Sequence, residues 1–393
     1  MLKAYKTEIK PTQEQINKIN QSIGICRWLY NEYLFKNKEL YNQYKEGLID
    51  KKQSFMSAND FDKYINNYVK TLEEYSWINN CGSKARKKAI QNAETAYKRF
   101  FKGQAKFPKF KKKNKSDVKL YFPKNNKGDW KVERHKIMIP TLKNVRLKEY
   151  GYIPVGAKVI SGTVSKKSNR YYVSVIIDTD IKKQYNKNEG IGIDLGIKDL
   201  AICSNEMTFK NINKTNKVKK INKKLLREQK RLSRKYESLK LRNKKEKGEA
   251  TRQNIQKQIV KVQKIYQRLN NIRTDYISKT ISSIVKQEPS FITIEDLNVS
   301  GMMKNKHLSK AVAEQKFYEF RNKLKTKCDV LGIELRIVDR FYPSSKLCHE
   351  CGSVKKDLKL KDRTYICPVC GYIEDRDYNA SLNLRDAKIY KIA

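Results

Sequence analysis

The sequence lacks long hydrophobic stretches. No run approaches the ~18 to 20 apolar residues that a membrane-spanning helix needs. The start, MLKAYK, has no apolar stretch of the kind that signal peptides carry. We therefore expect a soluble protein with no membrane partner that stays in the cytoplasm.

A disulfide framework is also missing. Four of the eight cysteines stand singly (Cys26, Cys81, Cys203 and Cys328), and the other four are grouped between residues 348 and 370. Four single cysteines and one group of four are not the spacing of a disulfide-rich domain. The pattern predicts a reducing compartment and one metal cluster.

Common nucleotide-binding fingerprints are absent as well. Neither a P-loop nor a dinucleotide-binding glycine motif occurs. The run GIDLG at residues 192–196 is also typical of the first phosphate loop of actin-like ATPases and sugar kinases. Those enzymes need further glycine-rich loops downstream, and we find none here, nor any internal repeat.

What the chain has in excess is positive charge. It contains 87 Lys and Arg against 41 Asp and Glu, a formal net charge of +46. Such self-repulsion is tolerated best when a polyanion supplies the counter-charge, which favours nucleic acid as a partner. A ribosome-associated protein or a membrane-surface binder would also fit this charge. The 393 residues predict two to three domains, and 39% hydrophobic residues exclude wholesale disorder.

The chain divides by pattern into four parts. Thr12 is placed to cap a helix bearing Ile16 and Ile19, and helical spacing continues to about Phe101. Residues 100–124 hold nine lysines and one aspartate with interleaved aromatics, which suits a nucleic-acid backbone. Residues 131–178 predict a small β-rich module, and 182–189 a linker.

A second basic segment follows the run GIGID, which predicts a buried strand. Residues 207–270 hold 22 Lys and Arg against four acids and read as helix. Apolar residues at helical spacing predict one packed face and one basic face: Ile255, Ile259, Val262, Tyr266, Leu269, Ile272 and Tyr276. We expect the basic face to bind a polyanion.

Three acids stand where an acid is locally out of place. Asp194 interrupts a hydrophobic strand, Glu295 ends the strand-like FITI, and Asp377 precedes a helix start. A buried carboxylate is costly unless it is paired or binds a metal. Two divalent ions ~3.5 to 4 Å apart, held by carboxylates from separate elements, are a recurrent device for phosphodiester hydrolysis. These acids predict two Mg²⁺ ions in an RNase H-like α/β fold.

The strongest local signal is a four-cysteine pattern. Cys348 and Cys351 are separated by fifteen residues from Cys367 and Cys370, the spacing of a zinc ribbon. Gly352 and Gly371 follow the two pairs and predict tight turns. Four thiolates leave no open coordination position, so we predict one structural Zn²⁺, with His349 surplus.

Several motifs together resemble the TnpB (OrfB) family of insertion-sequence proteins, over nearly the whole chain. They are KPTQEQ (10–15), CRWLYN (26–31), FPKFK (107–111), GIDLGIKD (192–199), IEDLNVSGM (294–302), YPSSKLC (342–348) and DRDYNA (375–380). The family consists of RNA-guided DNA endonucleases, ancestral to compact type V CRISPR effectors, which use a transposon-encoded guide RNA and a short motif flanking the target.

The resemblance implies catalytic roles and partners. Asp194, Glu295 and Asp377 would be the three RuvC carboxylates, and the nearby Asp375 could be mistaken for the third. Ser381 stands where the family pattern has alanine, which puts nothing catalytic in doubt. The partners would be a guide RNA encoded near the element's end and double-stranded target DNA. The location would be the cytoplasm of a prokaryote, at the nucleoid.

The same resemblance implies a multidomain α+β layout. A β-rich wedge domain would comprise 1–10 and 118–185, and a helical recognition region 11–117. A RuvC nuclease domain would comprise 189–345 and 371–393, with the zinc ribbon at 346–370 inserted in it.

Three alternatives stay open. A nuclease-inactive RNA-guided repressor would bind DNA without cutting it, although all three acids are present. A transposase would join DNA as well as break it. A compact type V CRISPR effector is not separable by this sequence, although the short length favours TnpB.

Overall fold

The computed structural model describes residues 2–113, 118–124, 126, 128–179, 188–244, 252–359 and 361–393. The chain forms two compact units, Met1–Asp180 and Ile181–Ala393. The predicted linker 182–189 falls mostly outside the described residues, and the predicted domain boundaries stay a prediction. No described helix is long and apolar enough to cross a bilayer.

The first unit combines helices with an antiparallel sheet. Its strands are β1 (Leu2–Lys10), β2 (Leu120–Pro123), β3 (Lys131–Val132), β4 (Lys136–Ile139), β5 (Lys143–Leu147), β6 (Val159–Lys167) and β7 (Arg170–Asp178). Its helices are α1 (Gln13–Lys45), α2 (Ala58–Asn67) and α3 (Ser83–Phe101), with 3-10 turns at Lys51–Gln53, Val69–Thr71 and Glu73–Asn80.

Helix α1 begins at the predicted cap. The Thr12 hydroxyl accepts the Gln15 amide, and the Gln15 side chain accepts the Thr12 amide, so two free N–H groups are satisfied reciprocally. Gln15 Nε2 also donates to the carbonyls of Leu142 and Asn144 at 2.8 and 2.9 Å. The same residue therefore starts the helix and ties it to the sheet.

The seven strands form one sheet in the order β2-β6-β7-β1-β5-β4-β3. Strand β1 lies in its interior and pairs along its length with β7, from Leu2 opposite Asp178 to Ile9 opposite Tyr171. Residues 2–10 are thus held by strands more than a hundred residues later in the sequence. The predicted β-rich character of 131–178 is confirmed.

The helical part places two cysteines side by side. Cys26 in α1 and Cys81 before α3 are both buried, with their Sγ atoms 3.7 Å apart. These two cysteines stand singly in the sequence, but the fold brings them together across 55 positions without a disulfide bond. All eight cysteines are free thiols.

The second unit is built on a mixed sheet. Its strands are β8 (Ile191–Asp194), β9 (Asp199–Cys203), β10 (Thr208–Lys210), β11 (Phe291–Glu295), β12 (Glu334–Val338), β13 (Thr364–Ile366), β14 (Ile373–Asp375) and β15 (Lys391–Ile392). Its helices are α4 (Asn216–Lys244), α5 (Gln253–Val285), α6 (Val299–Met302), α7 (Ser309–Gln315), α8 (Phe317–Leu331) and α9 (Arg376–Arg385), with a 3-10 turn at Ile212–Lys214.

Six strands form the main sheet in the order β10-β9-β8-β11-β12-β15. Strands β8, β9 and β10 are successive antiparallel neighbours, whereas β8, β11 and β12 run parallel. Parallel neighbours need long connections, and helices provide them here. Because parallel strands end at the same edge, residues at the ends of β8 and β11 become neighbours.

Helices α4 and α5 pack together through a small apolar core of Val218, Ile221, Leu225, Val262 and Leu269. The prediction of a helix from residue 207 was partly wrong, because Thr208–Lys210 pairs as an edge strand. Tyr266 was also assigned to the packed face, but its ring is half exposed and its hydroxyl accepts the Gln229 side chain at 2.7 Å.

Candidate active site and cysteine cluster

Asp194 is the last residue of β8, directly after the fully buried Ile193. Its carboxyl is partly buried, and Glu295 and Asp377 lie near enough to repel its charge. Burial first, and these two negative neighbours second, raise the pKa of Asp194 to about 8, while Arg376 opposes the shift. A carboxylate whose ionisation is opposed by burial and by like charge is suited to binding a cation.

Glu295 reaches the same place through strand register. In the parallel pair, Ile294 lies opposite Ile193, so the next residues, Glu295 and Asp194, end their strands together. Burial raises the pKa of Glu295, and the Ser344 hydroxyl, which donates to its Oε1, opposes that shift. Ser344 therefore fixes the direction of this carboxylate.

Asp377 comes from the first turn of α9. Its Oδ1 accepts two hydrogen bonds from Arg376, at 2.6 and 2.9 Å, and its Oδ2 lies 3.5 Å from an Arg363 nitrogen. The side chain is only 14% exposed. Two guanidinium groups thus hold the third carboxylate at the site.

Asp375 has a different role from Asp377, at the start of α9. It is the N-cap of α9, and its Oδ1 accepts the backbone amides of Asp377 and Tyr378 at 2.9 and 3.1 Å. The residue is exposed. Its carboxylate is committed to the helix end, and of the two acids Asp377 contributes more than Asp375 to raising the pKa of Asp194.

Close packing sets α9 against the strand that carries Asp194. A Cβ on Gly192 would lie 2.0 Å from the Ser381 carbonyl oxygen, so only glycine permits this approach. Ser381 is fully buried, and its hydroxyl donates to the Tyr378 carbonyl at 2.7 Å, which satisfies the polar group where the family pattern has alanine.

Taken together, the structure brings Asp194, Glu295 and Asp377 to one edge of the sheet. Within the described residues, however, the cysteines alone form a group of three or more potential ligands whose atoms all lie within 4.8 Å of one another. The three carboxylates are more widely spread than the ligands of a single closed site. Their oxygen chemistry fits Mg²⁺, which prefers one or two carboxylates and keeps room for water and phosphate.

The four cysteines do converge. Sγ of Cys348 lies 3.6 Å from Sγ of Cys370, and Cys351 and Cys367 are separated by the same distance. Ligands at ~2.3 Å from a tetrahedral zinc stand about 3.8 Å apart, so the residues fit that ion. The backbone amide of Cys370, followed by the Ser353 hydroxyl, lowers the pKa of Cys367 to about 5.

Local backbone geometry builds this cluster. Gly352 and Gly371 adopt φ angles of +72° and +74°, as the tight turns after the two cysteine pairs require, and this prediction is confirmed. His349 points away from the sulfurs, with Nδ1 3.7 Å from Asp386 Oδ2. It is not a member of the cluster.

The cluster is joined directly to the third carboxylate. Strand β14, which follows Cys370, ends at Asp375 and runs into α9. Buried Asn379 and Asn383 of α9 donate to the carbonyl of Leu347, beside Cys348, at 2.8 and 2.7 Å. Loosening the cysteine cluster would therefore disturb the start of α9.

The basic, aromatic segment predicted in 100–124 is ordered through residue 113, and residues 114–117 lie outside the described part. Asn31 of α1 holds it by exchanging two hydrogen bonds with the Lys111 backbone, at 2.8 and 2.9 Å. Phe107 and Phe110 are half exposed, as a stacking surface needs. Lys111 instead packs over the Tyr30 ring at 4.1 Å, where burial lowers its pKa.

Three family models match parts of the chain. Residues 1–46 match a family model described as "Helix-turn-helix domain" (HTH_OrfB_IS605), and 171–306 match one described as "Probable transposase" (OrfB_IS605). Residues 317–384 match "Cas12f1-like, TNB domain". These matches confirm the resemblance to the TnpB (OrfB) family.

TnpB-like relatives span the whole chain. A "Putative RNA-guided DNA endonuclease" of Streptomyces pristinaespiralis is 27% identical over 97% of this chain and 88% of its own length. InsQ of Escherichia coli K12, with the same description, is 27% identical over 98% of this chain and 91% of its own. A solved structure, "Cryo-EM structure of the Cas12f1-sgRNA-target DNA complex", covers 100% of this chain and 99% of that one, with a TM-score of 0.57 and 14% identity. It supports the fold alone.

One TnpB family description differs from the structure. The residues that match the helix-turn-helix model form strand β1 and then a single continuous helix, Gln13–Lys45. Gly24 lies inside this helix without breaking it, because the buried face continues past it through Ile25, Cys26 and Leu29.

Sequence reasoning did not identify three side chains that act on the TnpB carboxylates. Ser344 donates to Glu295, and Arg363 and Arg376 contact Asp377. Ser344 and Arg376 lie within quoted family motifs, YPSSKLC and DRDYNA, which was an available signal. Arg363 lies outside every motif, and no sequence signal marked it.

Proposed function

We propose that this protein is an RNA-guided endonuclease that cleaves guide-complementary double-stranded DNA beside a short flanking motif. The observation that carries the proposal is the meeting of Asp194, Glu295 and Asp377 at one sheet edge. The full-length relatives named as RNA-guided DNA endonucleases support it.

We assign the second unit to the RNase H-like (RuvC) fold. The supporting feature is its strand order, an antiparallel meander of β10, β9 and β8 extended by the parallel strands β11 and β12. In such sheets the ends of neighbouring parallel strands build the site. Here those ends carry the first two carboxylates.

The three carboxylates would hold two Mg²⁺ ions. When bound, such ions supply Lewis-acid activation of water and charge stabilisation at the leaving 3′-oxygen. Asp194 and Glu295 offer oxygen ligands from rigid strand ends, and Ser344 keeps Glu295 oriented. Arg363 and Arg376 hold Asp377 in place and would donate to phosphate oxygens once a cation takes over its carboxylate.

The four cysteines would hold one Zn²⁺ as a structural ion. A closed set of four thiolates leaves no position for substrate. Its role is to fix the hairpin β13–β14, and with it the start of α9 and Asp377.

Nucleic-acid partners follow from charge. Helix α4 is strongly basic, with 13 lysines and arginines against two glutamates. Phosphate contacts of this kind give strong, salt-dependent affinity without sequence choice. Specificity would then come from base pairing with a guide RNA. We expect the protein in a prokaryotic cytoplasm, at the nucleoid.

The test separates cutting from binding. Purified protein with its copurified RNA is incubated with matched double-stranded DNA and Mg²⁺, and Asp194→Ala, Glu295→Ala and Asp377→Ala are compared with the unchanged chain. Each variant should stop cutting while binding RNA and matched DNA normally. A variant that cuts at the normal rate would remove that residue from the mechanism.

A transposase stays a second candidate because the matching family model carries that description. A transposase and an endonuclease would leave different DNA products. Strand transfer would join DNA ends to a new target, whereas the proposed activity leaves only breaks. Sequencing the reaction products decides between them, and uncut DNA in every condition would favour a nuclease-inactive repressor.

A further inference from the structure

A cleft of about 280 Å³ opens beside Glu295 in the second unit. Its walls include Glu295, Tyr318, Arg321, Arg340, Leu195 and Leu297. At ~30 Å³ per water molecule, this volume equals roughly nine waters, enough for one base with its sugar. An apolar floor with charged groups at one side suits a nucleotide.

Two arginines of this cleft are held in fixed positions. Asp296 follows Glu295, and its carboxylate accepts Arg321 Nη1 at 2.5 Å and Arg340 Nη2 at 3.2 Å. Each guanidinium group has five N–H donors and uses one of them on Asp296, so donors remain for a further anion beside the carboxylate site. Both arginine side chains are partly exposed, at 38% and 44%, and can be reached by a ligand.

An aromatic ring completes the cleft. Tyr318 lies in the first turn of α8 and is 70% exposed, although it lines the cleft beside the buried Phe317. Its hydroxyl and ring are therefore not used by the protein core. An exposed ring next to fixed positive charge is the arrangement that holds an unpaired base and its phosphate.

We propose that this cleft is a subsite for one nucleotide of a DNA single strand, next to the phosphate that is cut. Tyr318 stacks on the base, and Arg321 and Arg340 hold the adjoining phosphate. They are positioning residues that direct the strand across the carboxylates. The inference rests on the proposed nuclease function, because Glu295 forms one wall of the cleft.

The subsite restricts the substrate. A base paired within a duplex cannot turn its face to Tyr318, so the strand must be unpaired when it enters. Stacking accepts any base, and the arginines contact only phosphate. We therefore expect little sequence preference at this position.

Binding of a short oligonucleotide tests the subsite without relying on cutting. Full-length protein carrying Asp194→Asn, to prevent cutting, is titrated with a labelled eight-nucleotide DNA single strand. A set of the same strand with one abasic site at each position in turn is compared. We expect one position at which base loss weakens binding, by about fivefold or more.

Added Tyr318→Ala should weaken binding of the intact strand by a similar factor and abolish the sensitivity at that position. Arg321→Gln or Arg340→Gln should each reduce the salt dependence of binding by about 0.7 in the log–log slope. Tyr68→Ala is the matched control, because Tyr68 is 67% exposed but lies in the other unit. It should change neither measurement.

An abasic profile that is the same with and without Tyr318 would overturn the stacking role. Unchanged salt slopes in both arginine variants would overturn the phosphate contact. Failure of the proposed function looks different, because the unchanged protein would then leave matched DNA uncut. If Asp194→Ala stops cutting but Tyr318→Ala leaves the abasic profile unchanged, the subsite alone is rejected.

Discussion

The second unit holds two groups of potential metal ligands that were assembled in opposite ways. The four cysteines come from one short stretch, and their sulfurs already stand at the spacing of a tetrahedral ion. The three carboxylates come from β8, β11 and α9, and they stand further apart.

Electrostatics separates the two groups further. In the cysteine cluster, the backbone amide of Cys370 and the Ser353 hydroxyl lower the pKa of Cys367 to about 5, whereas burial raises the pKa of the Cys348 thiol. At the carboxylate site, burial and like charge raise the pKa of Asp194 to about 8. A closed set of four thiolates suits a structural ion. An open set of carboxylates that repel one another suits ions that also contact the substrate.

The largest expected effect concerns the open site. Any one of Asp194→Ala, Glu295→Ala or Asp377→Ala should lower the cleavage rate by about 10⁴-fold or more, since residues that act as one unit fail together. A double variant should be about as inactive as either single one. Single-turnover cleavage measures this, and losses that multiply would show that the acids act separately.

Next in size is loss of the closed cluster. Cys367→Ser should remove zinc and unfold the hairpin β13–β14, because such small ribbons depend on metal binding for their folding. Cleavage should fall as well, since β14 leads into α9 and Asp377. Metal analysis, proteolysis and cleavage are compared with Cys328→Ala, a buried cysteine outside the cluster. Protein that keeps its fold and activity without zinc would contradict the coupling.

A smaller effect, on thermal stability, should show whether the Asp194 carboxylate is repelled by its neighbours or only packed among them. The pKa of this carboxyl lies above its ordinary value of 3.8, so its ionised form destabilises the folded state without cations. That cost grows as pH rises from about 4 to about 8. Asp194→Asn should therefore raise the melting temperature at pH 8 in chelator, by about 2–4 °C.

Added Mg²⁺ should raise the melting temperature of the unchanged protein more than that of Asp194→Asn. Thermal unfolding followed at several Mg²⁺ concentrations provides the measurement. An Asn variant that melts lower than the unchanged protein in chelator would mean that the carboxylate is stabilised by its surroundings.

The smallest effect belongs to Asp375. Since its carboxylate caps α9, Asp375→Ala should cost about 1 kcal/mol of stability, and Asp375→Asn, an equally good cap, close to none. Both should keep substantial cleavage activity. An inactive Asp375→Asn beside an active Asp377→Asn would show that the wrong acid of the pair was assigned to catalysis.

Local patterns were enough for several features. The Thr12 cap, the turns at Gly352 and Gly371, and the strand before Asp194 each depend on a few neighbouring residues, and all are present. The Cys348 to Cys370 spacing needed no knowledge of the fold, because each pair is one turn of the backbone. The family motifs added the catalytic assignment, which no local pattern carries.

Other features were not predicted from the sequence because they join residues that lie far apart in it. The Cys26–Cys81 contact, the bond from Ser344 to Glu295 and the ion pair of Arg363 with Asp377 all link separate elements. Tyr266 was assigned to the packed face, but its ring is half exposed beside Gln229 of α4, because helical spacing does not show how far around a helix the contact with its partner extends.

By itself, the sequence determined the charge, the cysteine ribbon and the Thr12 helix cap, since these are properties of residue type and short spacing. The family motifs named Asp194, Glu295 and Asp377 as the acids, and that assignment stays a prediction. Only the tertiary structure shows which side chains orient these carboxylates. The physical reason is that strand register and the close approach of α9 to Gly192 bring together groups that lie 82 to 183 residues apart in the sequence. Burial and mutual repulsion at that meeting point, which no single segment contains, give the site its chemistry.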